Sequence, residues 1–308
     1  MSIRTIVDYA GYLAVRVLIC ILQALPLETC ERLSAVLATL FCRVRFRVSD
    51  ENLQHAYPHW SAAERRQVIW RMWRHLFLMV AEVAHAGRKV HWSNWHRHIH
   101  FTREPKFIRA LLDRRAKVLV SGHFGNFEVG GYLLGIFGFP GAAVARPLDN
   151  PLLDRYVAQF RSGSGQSILP KSGSSAAAAE LLASGGMLTL LGDQAAGSRV
   201  CWITFFGRPA SAHKAIALFS LANQVPLIVT YSRRLQRPLY FESGLQALAD
   251  PCDAGYKLGT VPELTQWYSD QLEEIVRQAP EQYWWLHRRW KGEPSRRRRA
   301  ATRRDQAA

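Results

Sequence analysis

A histidine and a glutamate five positions apart follow an apolar segment and lie among glycines. Residues 118–128 read VLVSGHFGNFE, which places His123 and Glu128 after the apolar run. A neutral imidazole can remove a proton from an alcohol, and a carboxylate on its other ring nitrogen fixes the tautomer and stabilises the imidazolium. In a regular helix this spacing separates the two side chains by about 140°, so a direct pair requires His123 to precede the helix. Gly122 and Gly125 permit such a turn. The pair indicates a general base acting on a hydroxyl, although the same spacing also arises by chance.

Two arginines and an aspartate extend this set of polar residues. Arg146 begins the turn RPLDNP, Arg161 follows one short helix later, and Asp193 stands in Gly-Asp-Gln. Because arginine binds phosphate bidentately, Arg146 and Arg161 are candidate ligands of a phosphorylated substrate. Surface pairs with Asp149 or Asp154 are the alternative for each arginine. Asp193 is expected to shape its turn or to orient one of the arginines.

Strands and helices alternate along the chain after residue 116, and they must position these residues. Apolar segments predict strands at 117–121, 142–145, 187–191, 227–231 and 239–242. Helical patterns predict helices at 152–161, 176–183 and 213–223, one ending near 136 and one running from Pro262 to about 278. Upstream, Ser61 and Glu64 form a capping box that opens a long amphipathic helix ending before Gly87.

This alternation predicts an α/β fold with a mixed, largely parallel sheet flanked by helices. Functional residues of such sheets gather at the carboxyl ends of the strands. His123 and Asp193 both follow predicted strands, so we expect them to share one cleft. The segment Phe205–Ala210 either offers apolar surface beside that cleft, as an acyl chain needs, or packs in the core.

The charge of the chain favours an anionic partner. Lys and Arg number 40 against 24 Asp and Glu in 308 residues, which suits a nucleic acid, a phosphorylated substrate or a phospholipid surface. RNP, zinc-finger and basic-region motifs are missing, which argues against nucleic acid. The sequence also has no G-x-S-x-G elbow of a serine hydrolase. The histidines between 91 and 100 lack a metal-binding arrangement on a helix, and the five cysteines form no CxxC pair. No metal, cofactor or disulfide framework is predicted.

An apolar segment near the start of the chain favours the membrane among these partners. Residues 6–27 read IVDYAGYLAVRVLICILQALPL, interrupted by Asp8, Arg16 and Gln23. About 20 apolar residues can span a hydrocarbon core, although a central arginine is costly there. The segment is expected to be either a tilted spanning helix or an interfacial helix with Arg16 reaching toward headgroups. A buried core helix is the alternative. No A-x-A cleavage pattern follows, which argues against a removed signal peptide.

Motifs along nearly the whole chain resemble those of one protein family. They are, in order, Asn52-Leu, Tyr57-Pro, HFGNFE, RPLDNPLLD, GDQ, FFGRPA and the late segment PEQYWWLHRRWK. Their order and spacing are similar to those of the bacterial lipid A biosynthesis acyltransferases of the lauroyl and myristoyl type, a branch of the lysophospholipid acyltransferase superfamily. The H-x4-E motif alone is weakly specific, whereas its combination with the late segment is strongly so.

The resemblance implies a membrane-bound enzyme that moves a fatty acyl chain from a thioester to a hydroxyl of a phosphorylated glycolipid, a lipid A precursor. The donor would be acyl carrier protein or acyl-CoA, and the site would face the cytoplasm from the inner membrane. His123 would be the general base and Glu128 its orienting partner. Arg146, Arg161 and Asp193 would bind phosphate or hold the site together. A glycerophospholipid or other glycolipid is the alternative acceptor, and a non-catalytic basic membrane-binding protein is a more distant alternative.

Three regions follow from these observations. Residues 1–30 form a membrane anchor or interfacial helix, residues 31–292 form the acyltransferase domain, and residues 293–308 form a basic tail outside the resemblance. The tail contains Arg296–Arg299, Arg303 and Arg304. We expect it to be disordered and to be attracted to anionic headgroups.

Overall fold

Ten α-helices and nine β-strands are found in the computed structural model, which describes residues 2–145, 147–163, 165–170, 173–197 and 200–292. The helices are α1 Ile3–Ala24, α2 Leu27–Phe41, α3 Phe46–Ala56, α4 Ala62–Lys89, α5 Glu104–Leu112, α6 Phe127–Ile136, α7 Pro151–Ser162, α8 Ser174–Ala183, α9 Ala215–Asn223 and α10 Val261–Gln278. The strands are β1 Ile99–Thr102, β2 Lys117–Ser121, β3 Gly141–Ala145, β4 Gln166–Pro170, β5 Met187–Leu191, β6 Val200–Phe205, β7 Arg208–His213, β8 Leu227–Arg234 and β9 Phe241–Ala249.

Seven of the strands form one mixed sheet. Their order is β1-β9-β8-β2-β5-β3-β4, and β8 with β9 is the antiparallel pair within it. Helices link the parallel strands, because parallel neighbours need a crossover connection. Strand β2 lies in the middle, and its residues Val118, Leu119 and Val120 are fully buried. The predicted α/β class with a largely parallel sheet is therefore confirmed.

The pairing of β2 with β5 sets the level of the two loops that follow them. Ser121 is in register with Leu191, and the Gly192 N–H donates to the Ser121 carbonyl at 2.8 Å. His123 and Asp193 thus each lie two residues beyond a matched pair. Parallel strands with matched ends bring the residues after them to one edge of the sheet.

The helical part before the sheet is built around α4. Ser61 and Glu64 form the predicted capping box at its start. The helix runs to Lys89, past Gly87, because a single glycine is tolerated inside a helix at a cost of about 1 kcal/mol. Its buried face includes Ile69 and Met72 and, unusually for a helix, the polar residues His75, Glu82 and His85. Sequence periodicity did not predict α2, α3 or the β6–β7 hairpin.

Helix α1 has 22 residues, and within the described part of the chain it is the one helix long and apolar enough to cross a membrane. None of its residues is fully buried. The sequence boundary at residue 30 falls inside α2, whose Cys30 packs against Leu78 and Ala81 of α4. The basic tail, 293–308, lies outside the described residues.

Candidate active site

His123 lies in the turn between β2 and α6, and Asp193 of the loop after β5 holds it. The Nδ1 of His123 donates to Asp193 Oδ1 at 2.8 Å, and the His123 backbone N–H donates to Oδ2 at 3.0 Å. A carboxylate only accepts hydrogen bonds, so Nδ1 carries the proton and Nε2 is left with its lone pair. The side chains are 15% and 3% exposed. This arrangement presents Nε2 as a base.

Each partner shifts the pKa of the other toward the charged pair. Burial alone would lower the pKa of His123, but the charge and hydrogen bond of Asp193, with a smaller contribution from Glu128, raise it above its ordinary value. Burial would likewise raise the pKa of Asp193, but His123 and the backbone N–H hold it below the usual range. Asp193 is therefore an anion that stabilises the imidazolium formed when His123 accepts a proton.

Glu128 pairs with Arg161 rather than with the histidine ring. Arg161 Nε donates to Glu128 Oε2 at 3.0 Å, and Arg161 Nη2 donates to Glu128 Oε1. The sequence prediction of Glu128 as the direct partner of His123 is thus corrected: Asp193 takes that place. The physical reason is that Asn126 caps α6, which commits Glu128 to the first helical turn and directs it toward the end of α7. Arg146 lies outside the described residues.

The free Nε2 of His123 faces Gln194, and two aromatic rings flank the imidazole. Gln194 Nε2 lies 3.2 Å from His123 Nε2, and since that nitrogen holds a lone pair, the amide donates. The rings of Phe127 and Trp284 meet the imidazole edge-on at 5.3 and 5.2 Å. Sequence reasoning did not single out Gln194 or Trp284, although both occur in the motifs GDQ and PEQYWWLH.

The late segment PEQYWWLH closes the site from one side. The Trp284 N–H donates to the His123 carbonyl at 3.0 Å, and the Gly125 N–H donates to the Gln282 carbonyl at 3.0 Å. The buried amide of Asn52 donates to the carbonyls of Trp285 and His287, each at 2.7 Å. Motifs far apart in the sequence therefore meet, because Asn52 and the turn that contains His123 and Gly125 bind the same segment.

A buried ionic network lies beneath the turn that carries His123. Arg234 donates through Nε and Nη2 to the two oxygens of Glu82, each at 2.6 Å, and through Nη1 to His75 Nδ1 at 2.8 Å. The Nε2–H of His75 therefore donates to the Gly125 carbonyl at 3.1 Å, and Asn126 donates to Glu82 at 2.9 Å. Burial, together with Arg234, keeps the pKa of His75 well below its ordinary value, so this ring stays neutral. The network fixes the backbone on which His123 stands.

An apolar cavity of about 330 Å³ lies next to the turn that carries His123. Ser121 and Phe127 belong to its wall, and Phe127 also contacts the His123 ring. The cavity continues between the sheet and α5 and α6, and Thr189 lines it two residues below the end of β5. Its other walls are mainly aromatic and aliphatic, among them Trp95, Phe107, Leu134 and Phe137. It is large and apolar enough to take a hydrocarbon chain.

The apolar surface predicted from FFGRPA is part of the core instead. Phe205 and Phe206 are 1% and 6% exposed. They pack against Trp290, Trp285 and Tyr57 and do not belong to the wall of the cavity. The core-packing alternative is therefore the right one. Among the described residues, no group of three or more His, Cys, Asp or Glu side chains is arranged to hold a metal ion.

The fold and this site define an α/β protein with a buried His–Asp pair beside a hydrocarbon-sized cavity. The sequence profile of the bacterial lipid A biosynthesis acyltransferases matches residues 2–292. The chain belongs to this family and is an acyltransferase, as its motifs predicted. Membership supports acyl transfer to lipid A, and together with α1 it suggests association with a membrane.

Relatives with known names are similar over most of their length. The lipid A biosynthesis lauroyltransferase of Escherichia coli K12 is 27% identical over 296 residues, 92% of each chain. The palmitoleoyltransferase of the same organism is 25% identical over 273 residues, 84% of this chain and 82% of the relative. A lipid A biosynthesis acyltransferase of Haemophilus influenzae is 22% identical over 252 residues, 77% and 73% of the two chains.

Proposed function

We propose that this protein transfers a fatty acyl chain from an acyl carrier protein or coenzyme A thioester to a hydroxyl of a lipid A precursor. The observation that carries the proposal is the His123–Asp193 pair next to an apolar cavity, since Phe127 both lines the cavity and contacts the His123 ring. A base at that point can activate a hydroxyl next to a thioester whose acyl chain occupies the cavity. Both requirements of acyl transfer are then met at one place.

In the proposed reaction His123 Nε2 removes the proton of the acceptor hydroxyl as its oxygen attacks the thioester carbonyl. The new C–O bond gives a tetrahedral oxyanion, and the imidazolium is stabilised by Asp193, to which it donates through Nδ1. Collapse of the intermediate breaks the C–S bond, and the thiolate takes the proton from His123 Nε2. The histidine returns to its neutral state, and no covalent acyl-enzyme is formed.

Gln194 has a defined place in this mechanism. Its amide donates to His123 Nε2 in the resting site, so the acceptor hydroxyl must displace it. Once displaced, the amide N–H groups lie within reach of the developing oxyanion, where a preorganised donor stabilises the transition state. The Glu128–Arg161 pair holds α6 to α7, and the Glu128 carboxylate favours the charged form of His123. Arg161 and Arg146 remain candidates for the acceptor phosphate.

The proposed location is the cytoplasmic face of the inner membrane, where donor thioesters are soluble and the lipid acceptor is embedded. The apolar α1 and the excess of 40 basic over 24 acidic residues support attraction to an anionic bilayer. We also propose the basic tail as a further, salt-sensitive contact with anionic headgroups.

The test is the mass of the product. The detergent-purified protein receives an acyl-carrier-protein thioester and two competing acceptors, a tetra-acylated lipid A precursor and a lysophospholipid. We expect one added acyl chain on the lipid A precursor and a loss of about 10²- to 10⁴-fold in His123→Ala, the usual contribution of a general base. His100→Ala is the matched control, since His100 is exposed on β1.

Two results contradict the proposal. Acylation of the lysophospholipid alone would retain the mechanism and replace the acceptor. Full activity of a folded His123→Ala enzyme would remove the general-base assignment.

A further inference from the structure

Helix α1 is docked on the folded body along most of its length. Near its start, Asn150 Nδ2 donates to the Asp8 carbonyl at 2.7 Å. Near its end, Gln23 Nε2 donates to the Ala84 carbonyl at 2.8 Å, and His85 contacts the Leu22 carbonyl at 2.8 Å. The distance from residue 8 to residue 23 is about 22 Å along the axis. A detachable anchor would be held at one end, whereas this helix is held at both.

The contacts with the body form one stripe along the helix. Half-buried residues recur three or four positions apart, which is one face of an α-helix; they are Asp8, Gly11, Tyr12, Val15, Ile19, Leu22 and Gln23. Arg16 stands at the flank of the stripe, with its guanidinium 4.8 Å from the centre of the Tyr156 ring on α7.

The opposite face of α1 is apolar and exposed. Its side chains include Ile6 at 55%, Leu13 at 45%, Val17 at 57% and Ile21 at 52% exposure. The charged residues Arg4, Asp8 and Arg16 and the amide Gln23 all lie on or beside the docked stripe. A stripe that binds the body and an outer face without charge is the pattern of a helix lying at an interface.

A bilayer-spanning α1 conflicts with this docking. Crossing a core of about 30 Å requires nearly all of its 22 residues. If the helix stayed docked, parts of α7 and α4 would enter hydrocarbon with it. These parts carry the exposed residues Arg155, Gln159, Arg88 and Lys89, and each charge would cost several kcal/mol there. If it detached, Asn150, Gln23 and His85 would lose their partners.

We propose that α1 lies in the plane of the membrane, with its apolar face in one leaflet and its other face on the enzyme, and does not cross the bilayer. The proposal specifies how the protein meets the membrane that the proposed function requires. Helix α2 adds to the same kind of surface, since Leu33, Val36 and Leu40 expose one of its faces. The exposed Arg43 and Arg45 follow that face directly, in the place where anionic phosphates of lipid headgroups would meet them.

The two arrangements differ in which side of the membrane holds the N-terminus. A spanning α1 places residue 2 and the enzyme body on opposite sides, whereas an in-plane α1 places them on the same side. Cys20, Cys42 and Cys252 are replaced by Ala, which leaves the buried Cys30 and Cys201. Ser2→Cys is then compared with Ser184→Cys, an exposed body position after α8, by labelling with a membrane-impermeant maleimide in inverted and right-side-out bacterial vesicles.

We expect Ser2→Cys and Ser184→Cys to be labelled in inverted vesicles and to be protected in right-side-out vesicles until detergent is added. Labelling of Ser2→Cys only in right-side-out vesicles would overturn the proposal. Labelling in neither preparation would also overturn it, because the first residues of an in-plane helix are within reach of water. Acyl transfer is measured in the same inverted vesicles, so failure of the proposed function and failure of the in-plane arrangement are separate results.

Discussion

The contribution of Asp193 to the reactivity of His123 can be tested by Asp193→Asn. The amide is nearly the same size and can still accept from Nδ1, but it has no charge. With 2.8 Å between the bonded atoms, the two charge centres are about 4 Å apart. At an effective dielectric constant of about 20, their interaction is worth about 4 kcal/mol. Since about 1.4 kcal/mol corresponds to a tenfold change in rate, we expect kcat/KM to fall by up to about a thousandfold.

The same substitution has a predicted effect on the pH profile. Asp193 raises the pKa of His123, and His123 must be neutral to act as a base, so activity increases as the pH rises through this pKa. Removal of the negative charge lowers the pKa, and the acidic limb of kcat/KM therefore moves to lower pH in Asp193→Asn. The shift is measured by acyl transfer over a pH series under conditions where the thioester is stable.

Asp250→Asn is the matched control, because Asp250 is also a buried aspartate but binds Arg115, which precedes the start of β2 and so lies at the end of that strand away from His123. It should change thermal stability without moving the pH limb. A decrease of less than about threefold in Asp193→Asn, or a limb that stays in place or moves to higher pH, would refute the assigned role of Asp193. In a His123→Ala background, Asp193→Asn should have almost no further effect on rate.

Two other predictions concern the cavity and the turn that carries His123. Thr189→Phe should fill part of the cavity and shift the product toward shorter acyl chains when a mixture of thioesters of graded length is offered and the products are measured by mass. Thr204→Phe, on the exposed side of β6, should leave the distribution of chain lengths unchanged. An unchanged distribution in both variants would show that the cavity does not select the acyl chain. Gly125→Ala should destabilise the protein by more than about 3 kcal/mol in calorimetry, because φ is +59° and a Cβ would lie 2.0 Å from the Ser232 carbonyl oxygen. Gly138→Ala, at φ +78° in open space, should cost about 1 kcal/mol, and equal losses would contradict the steric argument.

The local signals in the sequence predicted most of the sheet and several helix ends. Strands 117–121 and 187–191 and the end of the last helix at 278 agree with the structure because apolar runs, caps and Pro262 are local features. The sequence pattern predicts no element for the α2–α3 region, and the apolar residues of the β6–β7 hairpin are interpreted as cleft surface or core rather than as strands. Fold class needs only the alternation of elements, which survives such local errors.

The sequence predicts which residues belong to the site better than it predicts which of them form hydrogen bonds with one another. His123 and Asp193 were both placed at strand ends, but their hydrogen bond joins residues 70 positions apart and depends on the register of β2 with β5. Glu128 is the predicted partner because it is close in sequence, whereas contacts between distant residues are not visible in a single sequence. His75, Glu82 and Arg234 are polar residues on apolar faces, and their mutual neutralisation becomes visible only when α4 is packed against β8.

The contacts of the late segment PEQYWWLH with the turn that carries His123 have a consequence for when the site is completed during synthesis of the chain. The turn that carries His123 forms backbone hydrogen bonds with residues 282 and 284, and the Gln282 side chain also binds both the N–H and the carbonyl of Arg234. The chain must therefore be synthesised as far as residue 284 before the partners that set His123 in place exist. A nascent chain that stops short of this segment carries His123 in a turn without these hydrogen bonds, so the proposed activity requires the segment to have been made.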